Sequence, residues 1–277
     1  MHKWISAFAA ALLAASVSSA ALADNPASSA KGVNPDAAAA LDGATRTLVV
    51  GSDVFIGDVV NTGPKGQVQI LFADNTKLVV GPQSSLKIDD YLLRNNGDAG
   101  KFVVDMLSGS FRFATGNGPK SSYVINTPTG TIGVRGTGFD TWIGIDPQTG
   151  RLATYILHYI GTVMFKAKGE KQWKLLHDAC TLGSIFDVSK VLGSSKSTTG
   201  DFRNQLKAEF RYSVNQSPLM RPYWFAQAID CLRNAPDLNT TAPIGDNQSN
   251  GVGLPVTTQP PPPPPPPPGN VILFKRP

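Results

Sequence analysis

The sequence predicts a mainly β fold: an antiparallel jelly roll or two-sheet sandwich of short strands, then two short helices and a disordered proline-rich tail. Three observations predict it. From Thr47 to about Ser189, apolar and polar residues alternate with a period of two. Gly-Pro pairs and Asp-Asn turns break that alternation at regular intervals. A helical spacing of apolar residues appears only after Asp201. Many short strands with such punctuation point to a closed or layered antiparallel architecture.

The elements follow in order. "TLVVGSDVFIGDVV" holds a valine-rich run and then Gly57-Asp58 as a turn. In "QVQILFADNTKLVVG", Val68, Ile70 and Phe72 alternate with Gln67, Gln69 and Leu71, and Asp74-Asn75 leads into Lys77–Val80 as a hairpin. In "GKFVVDMLSGSFRFATG", Phe102, Val104 and Met106 point one way while Val103, Asp105 and Leu107 point the other. The same rhythm runs through "RLATYILHYIGTVMFKAKGEKQWKLL". A β domain over residues 47–190 has enough chain to bury a core of its own.

The flanks read differently. Residues 1–23 combine Lys3, an apolar stretch from Ile5 to Val17, and Ala21-Leu22-Ala23 before Asp24. This is the pattern of a cleaved signal peptide, and the apolar stretch is short of the roughly 20 residues a membrane span requires. The expected location is the periplasm or the extracellular space. Residues 24–46, small and alanine-rich, read as a flexible leader with at most a helical turn over Asp36–Leu41. A helical segment is expected over 198–235, packed on the β domain. Phe202, Leu206, Phe210 and Val214 recur at fours over 201–216, and Ser217 and Pro218 would cap and open a second helix over 217–235. From 236 to 277 the chain reads as disordered. The prolines of 260–268 would form a polyproline II spacer of about 28 Å, ahead of Val271–Phe274, which could add a strand to a sheet edge.

Composition narrows the function classes. The net charge is +5, one unit of which leaves with Lys3, and no Lys/Arg run exceeds two residues. Nucleic-acid binding gains no support from that. In an oxidising compartment Cys180 and Cys231 either form one bridge or stay as buried thiols. Neither they nor His158 and His177 show the short spacings of a zinc site, so no metal and no cofactor are expected.

The stretch "NTPTGTIGVRGTGFDTWIG", residues 126–144, packs five glycines around Arg135. It lacks the Gly-Lys-Ser/Thr ending of a phosphate loop, and it runs into the β-rich "FDTWIGI" where a dinucleotide fingerprint would open a helix. Asp140-Thr141 is followed by Trp142, not glycine, and nothing suggests that Asp140 and Asp146 share a site. No serine lies in Gly-x-Ser-x-Gly, and His158 sits in an apolar strand as a core residue would. An enzyme is therefore not the expectation. The glycines instead suit a tight bend that holds Arg135. Its planar fork would grip a carboxylate of the same domain or of a partner, and the internal contact is the simpler expectation. On either count Arg135→Ala would be costly.

"INTPTGTIGVRGTGFDTWI" closely resembles the hallmark of FecR domains, with Thr127-Pro128, Gly133, the Val134-Arg135-Gly136-Thr137 core and Phe139. "GDVVNTGPKGQVQILFADNTKLVVGPQSSLKI" is similar to the same family's opening pattern through Gly57-Asp58, Asp74 and Thr76. The likeness spans residues 47–145. It implies an all-β extracytoplasmic domain. In the family's iron-uptake regulators, that domain senses an outer-membrane transporter and relays the signal to a sigma factor. Those regulators carry an anti-sigma segment and a membrane helix before the domain, where this chain carries a cleavable signal. The expectation is thus a stand-alone secreted binding module, non-catalytic, that engages an envelope protein or glycan. An outer-membrane or inner-membrane protein is a candidate partner, and nucleic acid is not. Two alternatives remain: a signalling component acting through a separate membrane partner, and an envelope polysaccharide-active enzyme.

Overall fold

The computed structural model describes residues 26–187 and 207–233. The signal-like start, the start of the expected helix over 201–216 and the proline-rich tail lie outside them. The fold is mainly β, as expected. Strands β1 (Ser28–Asn34), β2 (Ala37–Leu41), β3 (Ala44–Thr47), β4 (Asp53–Val54), β5 (Val59–Thr62), β6 (Gln67–Phe72), β7 (Lys77–Val80) and β8 (Ser85–Leu93) precede the long strand β9 (Ala99–Ala114). After a 3-10 turn over Lys120–Ser122 come β10 (Tyr123–Thr127), β11 (Gly130–Ile145), β12 (Leu152–Ala167), β13 (Lys174–Leu176) and β14 (Leu182–Phe186). Every pairing is antiparallel except that of β10 with β9.

Three strands are longer than the short ones expected: β9, β11 and β12 each run 16 residues. Their length has a purpose, because each belongs to two layers. The first part of β9 pairs with β8 and β10, while its end pairs with β7 and β11. The first part of β11 pairs with β10 and the end of β12; its second part pairs with the end of β9 and the start of β12. One layer thus runs β3-β2-β5-β8-β9-β10-β11-β12-β13, and the other β4-β1-β6-β7-β9-β11-β12-β14. Strands that switch sheets at bends make the corners of such a sandwich.

The bends sit at glycines. On β11 and β12 the register skips from Arg135–Thr162 to Gly138–Ile160, so two residues oppose one. Gly136 has φ +67° and Gly161 φ +80°, and a Cβ on Gly161 would lie 2.0 Å from the Gly136 carbonyl oxygen. Only glycine fits that contact and that conformation. On β9 the change of partners falls at Gly109, with φ +96°.

The core lies between the layers. Val68, Ile70, Phe72, Leu78, Val80, Phe111, Phe113 and Phe139 come from one side; Val60, Leu86, Ile88, Phe102, Val104, Met106 and Ile132 come from the other. The alternation in β9 is as the sequence predicts: Phe102, Val104 and Met106 are fully buried while Leu107 is exposed. Phe102 anchors the aromatic centre, with ring centroids 4.8 Å from Phe72, 5.7 Å from Phe113 and 5.5 Å from Tyr123.

Two expectations are corrected. Residues 28–47 are not a flexible leader but strands β1 to β3, and β1 pairs with both β6 and β4. Ala30, Ala37 and Ala39 are buried there, where small side chains let the backbone approach its neighbours. Pairing in the sheet overrides their weak strand preference. The second helix does not begin at Ser217. Helical residues 207–209 and α1 (Arg211–Val214) are followed by an irregular stretch, a 3-10 turn over Arg221–Tyr223, and only then α2 (Ala226–Arg233). Pro218 and Pro222 keep 217–225 out of a regular helix. The described helical residues pack on the β sheet. Phe210, Ala228 and Cys231 cluster with Trp142, Leu157 and Tyr159 of β11 and β12. Cys180 and Cys231 form a disulfide across 51 residues. Closing a loop of that length stabilises by about 4 kcal/mol in the chain-entropy account.

Gly161→Ala should destabilise the protein by about 1–3 kcal/mol, because it places a Cβ against backbone in a left-handed conformation. Urea unfolding of the two proteins measures the difference; Gly169→Ala, equally left-handed (φ +85°) but with no atom within 4 Å of the added Cβ, is the comparison that isolates the backbone clash.

Candidate functional site

Most residues of the recognised motifs serve the frame. Asp74 is fully buried. Its carboxylate accepts from the Thr76 N–H at 3.1 Å, the Thr76 hydroxyl at 2.7 Å and the Tyr123 hydroxyl at 2.8 Å. The β6–β7 turn is thereby tied to β10. Asp58, next to the positive-φ Gly57, accepts from Arg46 of β3 at 2.7 Å and from the Phe55 N–H at 2.7 Å. Thr127 closes the β10–β11 turn through the Gly130 N–H at 3.1 Å, with Pro128 exposed at its tip. Thr137 is buried, and its N–H donates to the Thr115 hydroxyl at 2.7 Å. Val134 and Phe139 lie in the core, and Gly133 lies beneath Met164 and Trp173.

Arg135 departs from expectation. It is exposed on the bend beside Gly136, and no carboxylate among the described residues pairs with it. Arg135 pairs in register with Thr162 and alternates with Ile132 and Val134, so it faces away from the core that they enter and the internal contact expected of it is not made. That role belongs to Arg112 of β9, which is 1% exposed. Arg112 and Asp140 are direct cross-strand partners. The guanidinium donates Nε to Asp140 Oδ1 at 2.7 Å and Nη2 to Oδ2 at 2.8 Å. The Tyr159 hydroxyl donates to the same carboxylate at 2.5 Å. Arg112 Nη1 donates to the Gln216 side chain and, at 3.2 Å, to the Tyr223 carbonyl oxygen. The rings of Tyr159, Tyr212 and Phe225 stand around it. Burial disfavours the charge on Arg112, but the adjacent Asp140 carboxylate outweighs this and holds the guanidinium's pKa above its ordinary value.

Gln216 extends the network: its Nε2 donates to the Phe225 carbonyl at 2.7 Å, and its Oε1 accepts from the Phe225 N–H at 2.8 Å. Gln69 of β6 holds the same segment, accepting from the Met220 N–H at 2.9 Å. The charged pair and its amide neighbours thus fasten residues 216–225 to the sheet. Asp146 stands apart from Asp140. It caps the following turn through the Thr149 N–H at 2.7 Å and accepts from the Tyr155 hydroxyl. His158 is fully buried, with Nδ1 2.9 Å from the Asp178 carbonyl oxygen.

The bend is open to solvent. Lys120, Ser121, Arg135 and Met164 line an open depression of about 380 Å³. Lys120 and Arg135 are exposed there, and neither pairs with an acidic residue among those described. A second open depression, about 280 Å³, lies beside Leu41, Phe55 and Arg46, but its cation is already committed to Asp58. Among the described residues, no cluster of three His, Cys, Asp or Glu side chains could hold a metal, and no helix is long and apolar enough to cross a membrane. Chemically, the bend can pair with anionic groups in water.

Residues 58–157 match the family model described as FecR protein. This region is similar to FecR domains. The match runs from Asp58 at the β3–β5 corner into β12, so the FecR region includes Asp74, Arg112, Arg135 and Asp140. No curated protein matches the chain. Two crystal structures of a candidate anti-sigma factor from Parabacteroides distasonis ATCC 8503 are similar over 48% of this chain. At 1.65 Å resolution the TM-score is 0.38 with 11% identity, and at 2.50 Å it is 0.36 with 12% identity. The chain spans 57% and 56% of their lengths. The segment that closes over Arg112, residues 207–233, lies outside the FecR match.

Sequence reasoning did not single out Arg112. Its one signal is a cation in the apolar run "SGSFRFA", flanked by Phe111 and Phe113, where a strand places it opposite the core-facing rings. Arg112→Ala should cost about 3–5 kcal/mol, because it strands a buried carboxylate. Arg135→Ala should stay within about 0.5 kcal/mol of the parent. Urea unfolding of both variants separates the two arginines. A pH dependence also follows. Burial, then the neighbouring Asp74, pushes the Tyr91 hydroxyl up to about 12. Tyr123, Tyr155, Tyr159, Tyr212 and Tyr223 are raised too, first by burial. The unfolded chain loses these protons near about pH 10 while the folded chain keeps them. The urea midpoint should therefore hold up to about pH 10 and fall progressively above it.

Proposed function

We propose that this protein is a secreted, non-catalytic FecR-domain binding module of the cell envelope that engages an envelope protein or glycan through the Arg135 bend. The observation that carries the reading is the position of Arg135. The hallmark of the matched domain contains one arginine, and the double-layer frame turns it outward, beside Lys120, on a glycine bend that fixes its backbone. The bend fixes the backbone, so binding has only the arginine side chain to order. The arginine fork suits carboxylate or phosphate groups of a partner. The apolar and charge pattern of residues 1–23 supports export to the periplasm or beyond.

A second reading is favoured by the FecR match itself. The resemblance to regulators implies a place in a sigma-factor signalling pathway, here through a separate membrane partner. Deletion of the gene followed by transcript profiling distinguishes the two: an unchanged transcript profile removes the signalling reading.

The binding reading predicts a specific pattern of retention. Immobilised mature protein should retain the same envelope component from repeated preparations. Lys120→Glu/Arg135→Glu should reduce that retention at least tenfold while leaving the urea midpoint unchanged. Equal retention by parent and variant would show that the bend is not the contact.

A further inference from the structure

The outer face beside the bend carries an aromatic ring that the frame does not need. Trp173 is 43% exposed. It reaches back over β11, so that a Cβ on Gly133 would stand 3.7 Å from its ring and 3.4 Å from Met164 Cε. Met164 is also a wall of the Arg135 depression, which makes the ring and the depression one continuous surface. The Lys166 ammonium lies 4.9 Å from the Trp173 ring centroid, on the same face as Met164. The strands under this surface are smooth. Gly133 has Val124 of β10 on one side and Met164 of β12 on the other, and Thr131 follows two residues away on the same face. Three cations, Lys120, Arg135 and Lys166, therefore surround a shallow floor of small side chains with one exposed indole.

We infer that this face binds an anionic polysaccharide, a chain of pyranose rings carrying carboxylates. The inference rests on the binding-module reading and names its ligand class. Each part of the surface answers a property of such a chain. The apolar CH face of a sugar ring packs on an indole, whose large rigid surface is ordered at little entropic cost. Carboxylates pair with the arginine fork and the lysine ammonium groups. A small-molecule ligand calls for an enclosed concave pocket, whereas this surface is open. Neighbouring strands lie about 4.8 Å apart, so an extended polysaccharide laid across β11 and β12 meets a new strand at close to each ring. An acidic peptide would use the cations but has no call on the indole. A lipid surface would require a protruding apolar group, and the indole here lies over the strands.

Affinity electrophoresis of the mature full chain tests this, in native gels cast with polygalacturonate, dextran or polyglutamate. Polygalacturonate should retard the protein, and dextran and polyglutamate should not. Trp173→Ala and Arg135→Glu should each weaken the retardation at least tenfold with an unchanged urea midpoint, and Trp173→Phe should restore most of it. No retardation by polygalacturonate overturns the inference. So does equal retardation by polyglutamate, which assigns the face to acidic protein, and so does an unaffected Trp173→Ala. Retention of an envelope protein through the bend, with no retardation by polysaccharide, removes this inference and leaves the binding module standing.

Discussion

A charge pair that water never reaches organises this protein. Arg112 and Asp140 face each other across β9 and β11, both 1% exposed, joined through two hydrogen bonds. Burying either alone would cost several kcal/mol, so each requires the other. The guanidinium has more donors than one carboxylate accepts. The surplus is met by Gln216 and the Tyr223 carbonyl, which belong to the segment that covers the sheet. The pair thus fixes where residues 216–225 lie. That segment in turn excludes water from the pair, and the Cys180–Cys231 disulfide holds the following helix to the same sheet.

The same logic separates frame from surface within the matched region. Asp58, Asp74, Thr76, Thr127 and Thr137 bond to backbone or to buried hydroxyls and guanidinium groups, and so lock turns and corners. The long strands can cross from layer to layer only because glycines interrupt them. A bulge adds one residue and reverses which way its neighbours point. Arg135, the last paired residue before the bulge at Gly136, faces away from the core that Val134 enters, and Thr137 after the bulge is buried again. A motif arginine thereby becomes available for recognition without leaving a charge in the core.

Stability and recognition consequently rest on different arginines a few strands apart. The buried one needs a dry, fully bonded environment. The exposed one needs a rigid backbone and open water. Placing Trp173 and Lys166 on the side of β11 and β12 away from the core keeps the proposed binding face clear of the covering segment, which packs against the other part of the same long strands.

Much of this was legible in the chain itself. Alternation fixed which of Phe102–Leu107 face the core, and Asp74-Asn75 marked a hairpin, because both depend on contacts a few residues long. The motifs around Asp58, Asp74 and Arg135 carried the resemblance to FecR domains for the same reason. Other features were decided only by contacts distant in sequence. The alanine-rich residues 28–47 look unstructured alone, and become strands because β6, β5 and β4 offer them unpaired edges. Ser217 and Pro218 read locally as a helix start, but 217–225 stays irregular, and Gln69, Arg112 and Gln216 set the path it takes. Above all, no local pattern says which arginine will be buried. That follows from strand register and cover: Asp140 lands opposite Arg112 beneath residues 216–225, whereas Arg135, five residues earlier, lies on the outer face of its strand, where no carboxylate among the described residues meets it.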